Sequence, residues 1–250
     1  MGLPIAGTLR EVSVNLRQRR ASLFRALALP GALILALQFG FWFTYSGWMF
    51  ERWGLQVLLA LFQGLVWALF AVSCHRVLLD DPDQPTPVEG LWLGSRQIRY
   101  VLMAIVVTIP ILVYWVSIPW FIFFWFDLND IVDVPRYVFR AFSWGLLFPL
   151  QYLSSRIALT LPAAALRQPM SFARAWSVSR GNGWRLTAIL LAAPAAISLL
   201  SPFIERPFST LPVVYAAFGA ITSLIVGVVV VAGLSYSYKW FLNEYHLLDI

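Results

Sequence analysis

The uncharged stretch that decides the fold is PFSTLPVVYAAFGAITSLIVGVVVVAGLSYSY, residues 207–238. A helix needs about 20 mostly apolar residues, each rising about 1.5 Å, to cross the hydrocarbon core of a bilayer. The stretch exceeds that length and contains no Asp, Glu, Lys, Arg or His. It therefore predicts a membrane-spanning helix, which we place within residues 211–236.

Five further apolar runs precede this stretch. The chain of 250 residues is 60% hydrophobic and 12% charged, with a mean hydropathy of +0.75, whereas a soluble domain carries about 25% charged residues. The runs cover residues 26–50, 53–74, 100–126, about 137–156 and about 186–204. We predict an all-α integral membrane protein with one transmembrane domain, 1–250, in which six transmembrane helices form three hairpins.

A short amphipathic segment precedes each predicted hairpin, and the three segments resemble one another. They are TLREVSVNLRQRR (8–20), TPVEGLWLGSR (86–96) and SFARAWSVSR (171–180). In the first, Thr8 and Glu11 have the spacing of a capping box, which predicts Thr8 as the N-cap. In all three, an arginine follows a large apolar residue after four positions, in the pairs Leu16 and Arg20, Trp92 and Arg96, and Trp176 and Arg180. We predict a helix lying flat at the membrane surface in each segment.

Other positions recur in the same order. The first span of each hairpin contains a proline and the second ends near a cation, and these residues are Pro30, Pro110 and Pro194, then Arg76, Arg156 and Lys239. Membrane interfaces favour Trp and Arg in any protein, and membrane helices tolerate proline, so each single match also fits six unrelated helices. The joint order favours a threefold internal repeat, with units at approximately 8–79, 86–160 and 169–242.

Basic residues are distributed unequally between the two sides of the predicted membrane. Of the 18 Lys and Arg residues, 14 fall on the side that holds both termini and 4 on the other. The positive-inside rule then places the N- and C-termini in the cytoplasm. This topology explains the net charge of +6. We expect no nucleic-acid partner, because the sequence contains no soluble domain that would present a basic face.

Residues that carry catalysis or bind metal ions are scarce. No Asp, Glu, Lys or Arg lies at the centre of a predicted span, and the histidines and the cysteine of the chain are His75, His246 and Cys74. An outer loop contains Asp127, Asp130 and Asp133, but the EF-hand spacing and its glycine are missing, which favours a solvated acidic loop over a calcium site. We therefore expect no catalytic site, no metal and no cofactor, and predict that the chain is not an enzyme.

The stretch SVSRGNGWRL (177–186) is the strongest candidate for a chemical site. Its two glycines and two arginines fit either a loop that wraps a phosphate or a joint between two helices. The buried strand and the Lys-Ser/Thr pair of a phosphate-binding P-loop are missing from the sequence. We therefore predict a hinge at Gly181 and Gly183 that ends the third surface helix, with Arg180 and Arg185 at headgroup depth.

The segment RIALTLPAAALRQPMSFARAWSVSRGNGWRL (156–186) resembles a pattern in a broad group of uncharacterised bacterial multi-pass inner-membrane proteins. The same pattern is found in the membrane domain fused to some glycerophosphoryl diester phosphodiesterases. The matching residues are Arg156, Leu161 and Pro162, Ala175 and Trp176, Ser179 to Asn182, and Trp184 and Arg185. The resemblance implies a six-span module of the bacterial cytoplasmic membrane. The phosphodiesterase chemistry belongs to a separate soluble barrel, to which nothing in this chain corresponds.

These patterns predict a protein that binds lipid or a membrane-protein partner without catalysing a reaction. We expect the chain to contact anionic lipid headgroups, and the alternative is contact with a membrane-protein partner or with further copies of the chain in a homo-oligomer. The residues predicted to bind lipid phosphate are Arg20, Arg96, Arg99, Arg180 and Arg185, with Trp92, Trp176 and Trp184 as interfacial anchors. The alternative function is a transporter or permease-like module for a lipid or small amphiphile, in which the span prolines allow bending.

Overall fold

The computed structural model describes residues 2–45, 53–79, 94–125, 136–205 and 211–245. Within these ranges the chain forms nine α-helices and no β-strand. The helices are α1 (Ile5–Gln18), α2 (Arg20–Tyr45), α3 (Trp53–Leu78), α4 (Ser95–Trp125), α5 (Arg136–Ile157), α6 (Thr160–Ala165), α7 (Phe172–Val178), α8 (Gly183–Glu205) and α9 (Pro212–Glu244). The all-α prediction is therefore confirmed for the described chain.

Four of these helices are long and apolar enough to cross a membrane. Their qualifying segments are Arg20–Gly40 in α2, Leu58–Leu78 in α3, Ser95–Tyr114 in α4 and Val213–Glu244 in α9. The apolar segment of α8, Gly183–Ile197, is shorter, and the sequence of α5 includes three arginines. The described chain thus has four candidate spans where the sequence predicts six.

At the ends that carry basic residues, the helices extend past the uncharged runs of the sequence. Helix α2 begins at Arg20, well before the run 26–50, and α3 continues beyond Arg76. Long cationic side chains permit this, because their apolar stems cover the helix while the charged groups reach out of the apolar layer. Helix α1 likewise begins before its predicted start, so the prediction of Thr8 as the N-cap is wrong: Pro4 is the N-cap, and Thr8 lies inside the helix, buried, with its N–H donating to the Pro4 carbonyl oxygen at 2.9 Å.

Consecutive long helices form the most extensive packing pairs of the described chain. These pairs are α2 with α3, α4 with α5 and α8 with α9. Helix α9 also packs against α1, α2, α3 and α6, so it occupies the centre of the bundle. The central position of α9 agrees with its sequence, because a helix that is apolar all round has no polar face to turn toward water.

The tightly packed core lies at one end of the bundle, which we call the basic end because it holds Arg76, Arg156 and Lys239. Residues of α3, α6, α8 and α9 are fully buried there, and they include Leu78, Ala165, Leu186 and Phe241. Toward the opposite end, large apolar side chains are exposed on α3, α4 and α9, among them Leu61, Ile105 and Ile225. The basic end is therefore a compact polar-capped core, and the rest of the bundle presents apolar surface.

Helix α6 is an element that the sequence analysis did not predict. It fills the space between α4, α3 and α9 with small side chains, and Ala163, Ala164 and Ala165 are buried. It ends in a Schellman motif, in which the Gln168 N–H donates to the Ala163 carbonyl oxygen at 2.8 Å. Arg167 occupies the left-handed position of that motif with φ 58°.

Candidate functional site

An open groove runs between α2 and α9 and has a volume of about 540 Å³. We call it the α2–α9 groove. Its lining is almost entirely apolar and includes Leu23, Leu27 and Leu35 of α2, Phe70 of α3, and Leu224 and Val228 of α9. Among the described residues that line it, Arg20 is the one charged side chain. A long apolar channel with a cation at one end matches the chemistry of a phospholipid.

Small residues on α2 create the groove. Ala28, Gly31 and Ala32 lie three and four positions apart, which places them on one face of the helix. This face is turned toward Val228 and Val229 of α9, and all five residues line the groove. Because these α2 side chains are short, they leave space where larger ones would fill the contact between the two helices.

The length of the groove suits an extended hydrocarbon chain. Arg20 and Leu35 both line it, and fifteen residues of helix separate them by about 22 Å. The hydrocarbon core of a bilayer is about 30 Å thick, so this length is more than half of that thickness. Arg20 itself is exposed at the first residue of α2. Its guanidinium therefore stands where the polar group of such a chain would lie.

The five arginines predicted to bind lipid phosphate do not form one site. Arg20 lines the α2–α9 groove, whereas Arg96 and Arg99 lie in the first turn of α4, buried and half-buried. Arg180 and Arg185 are exposed around the turn between α7 and α8. Within the described chain, α4 packs mainly against α3, α5 and α6.

The stretch 177–186 binds the N-terminal segment of the chain. The Leu3 backbone N–H donates to Asn182 Oδ1 at 2.7 Å, and Arg185 Nη1 lies 3.5 Å from the Leu3 carbonyl oxygen. The Leu3 side chain is 1% exposed and belongs to the core at the basic end. Asn182 and Arg185 therefore hold a peptide group of this chain, which the local sequence did not indicate.

Glycine suits positions 181 and 183 of that stretch for different structural reasons. Gly181 lies in the turn after α7 with φ +79°, a conformation that glycine adopts without the steric cost of a Cβ. Gly183 begins α8 against the ring of Tyr152, and a Cβ at this position would lie 2.5 Å from Tyr152 Cε2. The first glycine permits the turn, and the second permits close approach of α8 to α5.

Arg156 connects α5 to the end of α7. It is buried, its Nε donates to Ser179 Oγ at 3.0 Å, and its Nη2 donates to the Trp176 carbonyl oxygen. Its guanidinium also lies 3.6 Å from the centre of the Trp176 ring, which is a cation–π contact. Arg156, Trp176 and Ser179 all belong to the segment that carries the family resemblance. The structure gives them an internal role in joining two helices.

The predicted aromatic anchors are only partly described. Trp184 is 60% exposed and packs against Tyr152 in a tilted ring pair, with ring centres 4.6 Å apart. Trp176 is 39% exposed, so one part of its ring faces outward while Arg156 covers another. Trp92 and the second surface segment up to residue 93 lie outside the described residues, as do His246, Asp127, Asp130 and Asp133.

A buried polar pair joins α3 to α9 at the basic end. His75 is fully buried, and its Nδ1 lies 2.7 Å from Ser235 Oγ. Ser235 Oγ also donates to the Val231 carbonyl oxygen at 2.8 Å. Neither His75 nor Ser235 lines the α2–α9 groove. In the described part of the chain, no group of three or more His, Cys, Asp or Glu residues is placed to hold a metal ion.

Comparison with known proteins gives no match, whether to a protein-family model, a curated protein or a solved structure. The α2–α9 groove is thus the candidate site on geometry alone. Of its residues, the sequence analysis predicted only Arg20 to bind lipid. The spacing of Ala28, Gly31 and Ala32 was the available signal, since small residues at this spacing mark the face of a membrane helix that is turned toward another helix.

Proposed function

We propose that this chain is a non-catalytic lipid-binding protein of the bacterial cytoplasmic membrane. An acyl chain would occupy the α2–α9 groove, with the lipid phosphate at Arg20. The observation that carries the proposal is the groove itself, an apolar channel of about 540 Å³ whose charged lining residue is an arginine at one end. This arrangement pairs each part of a phospholipid with a chemically matched part of the protein.

Arg20, more than the apolar lining, gives the groove its lipid preference. Lipid tails are as apolar as Leu side chains, so moving a tail from the bilayer into the groove gains little from the hydrophobic effect. A cation at the membrane surface, by contrast, attracts an anionic lipid by about 1 kcal/mol. The groove then fixes where the tail lies, and Arg20 favours lipids with a net negative headgroup.

The finer topology belongs to the same proposal. We place α5 and α8 across the membrane beside α2, α3, α4 and α9, giving six spans with both termini in the cytoplasm. Support comes from the packing of α4 with α5 and α8 with α9, which parallels that of α2 with α3. The short helices α1 and α7 precede the first and third hairpins, as the threefold repeat requires. The basic end would then face the cytoplasm.

Replacing Arg20 with glutamine is expected to reduce the preference for phosphatidylglycerol over phosphatidylcholine about fivefold, because one surface cation contributes about 1 kcal/mol. The measurement is lipid exchange into the purified protein, quantified by native mass spectrometry. Arg25→Gln is the matched control: Arg25 is exposed on the same helix and does not line the groove. Equal losses in the two variants would contradict the role of Arg20.

A further inference from the structure

A second cavity, distinct from the α2–α9 groove, lies beside α1. It occupies about 240 Å³ between α1 and α9. Glu11, Asn15 and Arg19 line it at intervals of four residues, which places them on one face of the α1 segment, and Lys239 and Asn243 line it from α9. Leu16 and Arg20 line the α2–α9 groove instead. We call this second space the α1–α9 polar cavity, and we propose that it binds a phosphate group.

The charges of the lining favour an anion. Arg19 and Lys239 are cations and Glu11 is a carboxylate, so the cavity carries one net positive charge. The Lys239 ammonium has three N–H donors, and the two asparagine amides add neutral ones. Charge-assisted hydrogen bonds from such donors to phosphate oxygens are stronger than those between neutral groups. Trp240 forms an apolar wall beside these donors.

Hydrogen bonds to backbone carbonyl groups hold two of the lining side chains in place. Arg19 Nη1 donates to the Val77 carbonyl oxygen at 2.7 Å, so its positive charge is fixed near the end of α3. Asn15 Nδ2 donates to the Glu11 carbonyl oxygen at 2.9 Å, which orients the Asn15 amide along α1. The lining is thus partly preorganised, and preorganisation lowers the entropic cost of binding a ligand.

The α1–α9 polar cavity and the α2–α9 groove are lined by neighbouring residues between 15 and 20 but by separate stretches of α9. Lys239 follows Val229, the last groove residue of α9, by ten residues, which is about 15 Å along the helix. A ligand of the polar cavity therefore needs no acyl chain in the groove. The phosphate comes either from a lipid headgroup at the basic end or from a soluble phosphate ester. The proposal does not depend on lipid binding at Arg20.

Glu11 and Lys239 allow a test in which two substitutions change phosphate affinity in opposite directions. Its carboxylate repels a phosphate in the same cavity, so Glu11→Gln is expected to tighten phosphate binding about threefold. Lys239→Gln removes a donated charge-assisted hydrogen bond and is expected to weaken binding about tenfold. Arg17→Gln changes the net charge as Lys239→Gln does, but Arg17 is exposed and lines neither cavity. It should stay within about twofold of the parent, since surface changes of this kind have small effects.

The experiment uses the full chain in dodecyl maltoside with two probes. Glycerol 3-phosphate is titrated by calorimetry to detect a site for soluble phosphate, and dihexanoyl phosphatidylglycerol is titrated in the same way to detect a headgroup site. Opposite shifts for Glu11→Gln and Lys239→Gln with either probe support the proposal, and the probe that binds identifies the source of the phosphate. The proposal is overturned if neither probe binds at millimolar concentration, or if Lys239→Gln and Arg17→Gln have equal effects.

Discussion

Replacing Arg156 with alanine is expected to lower the free energy of unfolding by about 3–5 kcal/mol, the combined magnitude of a desolvated cation–π contact and charge-assisted hydrogen bonds. Arg156 is buried, donates to Ser179 Oγ and the Trp176 carbonyl oxygen, and covers the Trp176 ring. The truncation removes all three contacts and leaves a cavity between α5 and α7. Reversible unfolding in mixed micelles, followed by tryptophan fluorescence, measures the loss.

Two further variants separate the contacts of Arg156 from its charge alone. Arg156→Lys keeps the charge but loses the planar, forked donor geometry of the guanidinium, so we expect an intermediate loss of stability. Arg180→Ala removes an exposed cation nearby in the chain and should change stability by less than about 0.5 kcal/mol. If Arg156→Ala costs no more than Arg180→Ala, the described contacts of Arg156 do not stabilise the fold.

Replacing Asn182 with leucine is expected to release the N-terminal segment, at a cost of about 1–3 kcal/mol for a buried N–H left without an acceptor. The Leu3 N–H donates to Asn182 Oδ1 at 2.7 Å, and both residues are buried. Hydrogen exchange of the peptide that contains residues 2–4 should accelerate about tenfold or more, because each 1.4 kcal/mol of lost protection is a factor of ten.

Asn182→Asp is the matched variant for this second prediction. An aspartate keeps an acceptor oxygen at the same distance along the side chain, and its negative charge lies close to Arg185, which approaches the Leu3 carbonyl oxygen. We therefore expect slow exchange at residues 2–4 to be retained. Fast exchange in both variants, or slow exchange in both, would contradict the role of the Asn182 oxygen.

The sequence predicted the features that depend on local composition. Uncharged runs such as 26–50 and 207–238 identified apolar helices, since helix formation and bilayer crossing depend on residues near one another in the chain. The predicted ends of the helices were less accurate at the basic end, where α2 begins at Arg20 and α9 continues to Glu244. Long cationic side chains allow a helix to continue past the apolar layer, so charge alone does not mark its end.

Features built from distant residues were not predictable. Leu3 and Asn182 are 179 positions apart, and no local pattern links an N-terminal backbone group to that asparagine. Arg156 had the pattern of a cation at a span end, and its burial against Trp176 depends on how α5 and α7 pack. The α2–α9 groove likewise arises from two helices that are far apart in the chain, although the spacing of Ala28, Gly31 and Ala32 was a signal.

Filling the α2–α9 groove tests the central claim most directly. Ala32 is exposed and lines the groove, whereas Ala36 is exposed one turn further along α2 and does not line it. We expect Ala32→Phe to reduce the amount of phospholipid retained through purification at least about fivefold, because overpacking costs about 1–3 kcal/mol. Native mass spectrometry measures the retained lipid. Ala36→Phe should retain lipid at the parent level. Undiminished lipid in the folded Ala32→Phe protein would contradict the claim that the groove holds it.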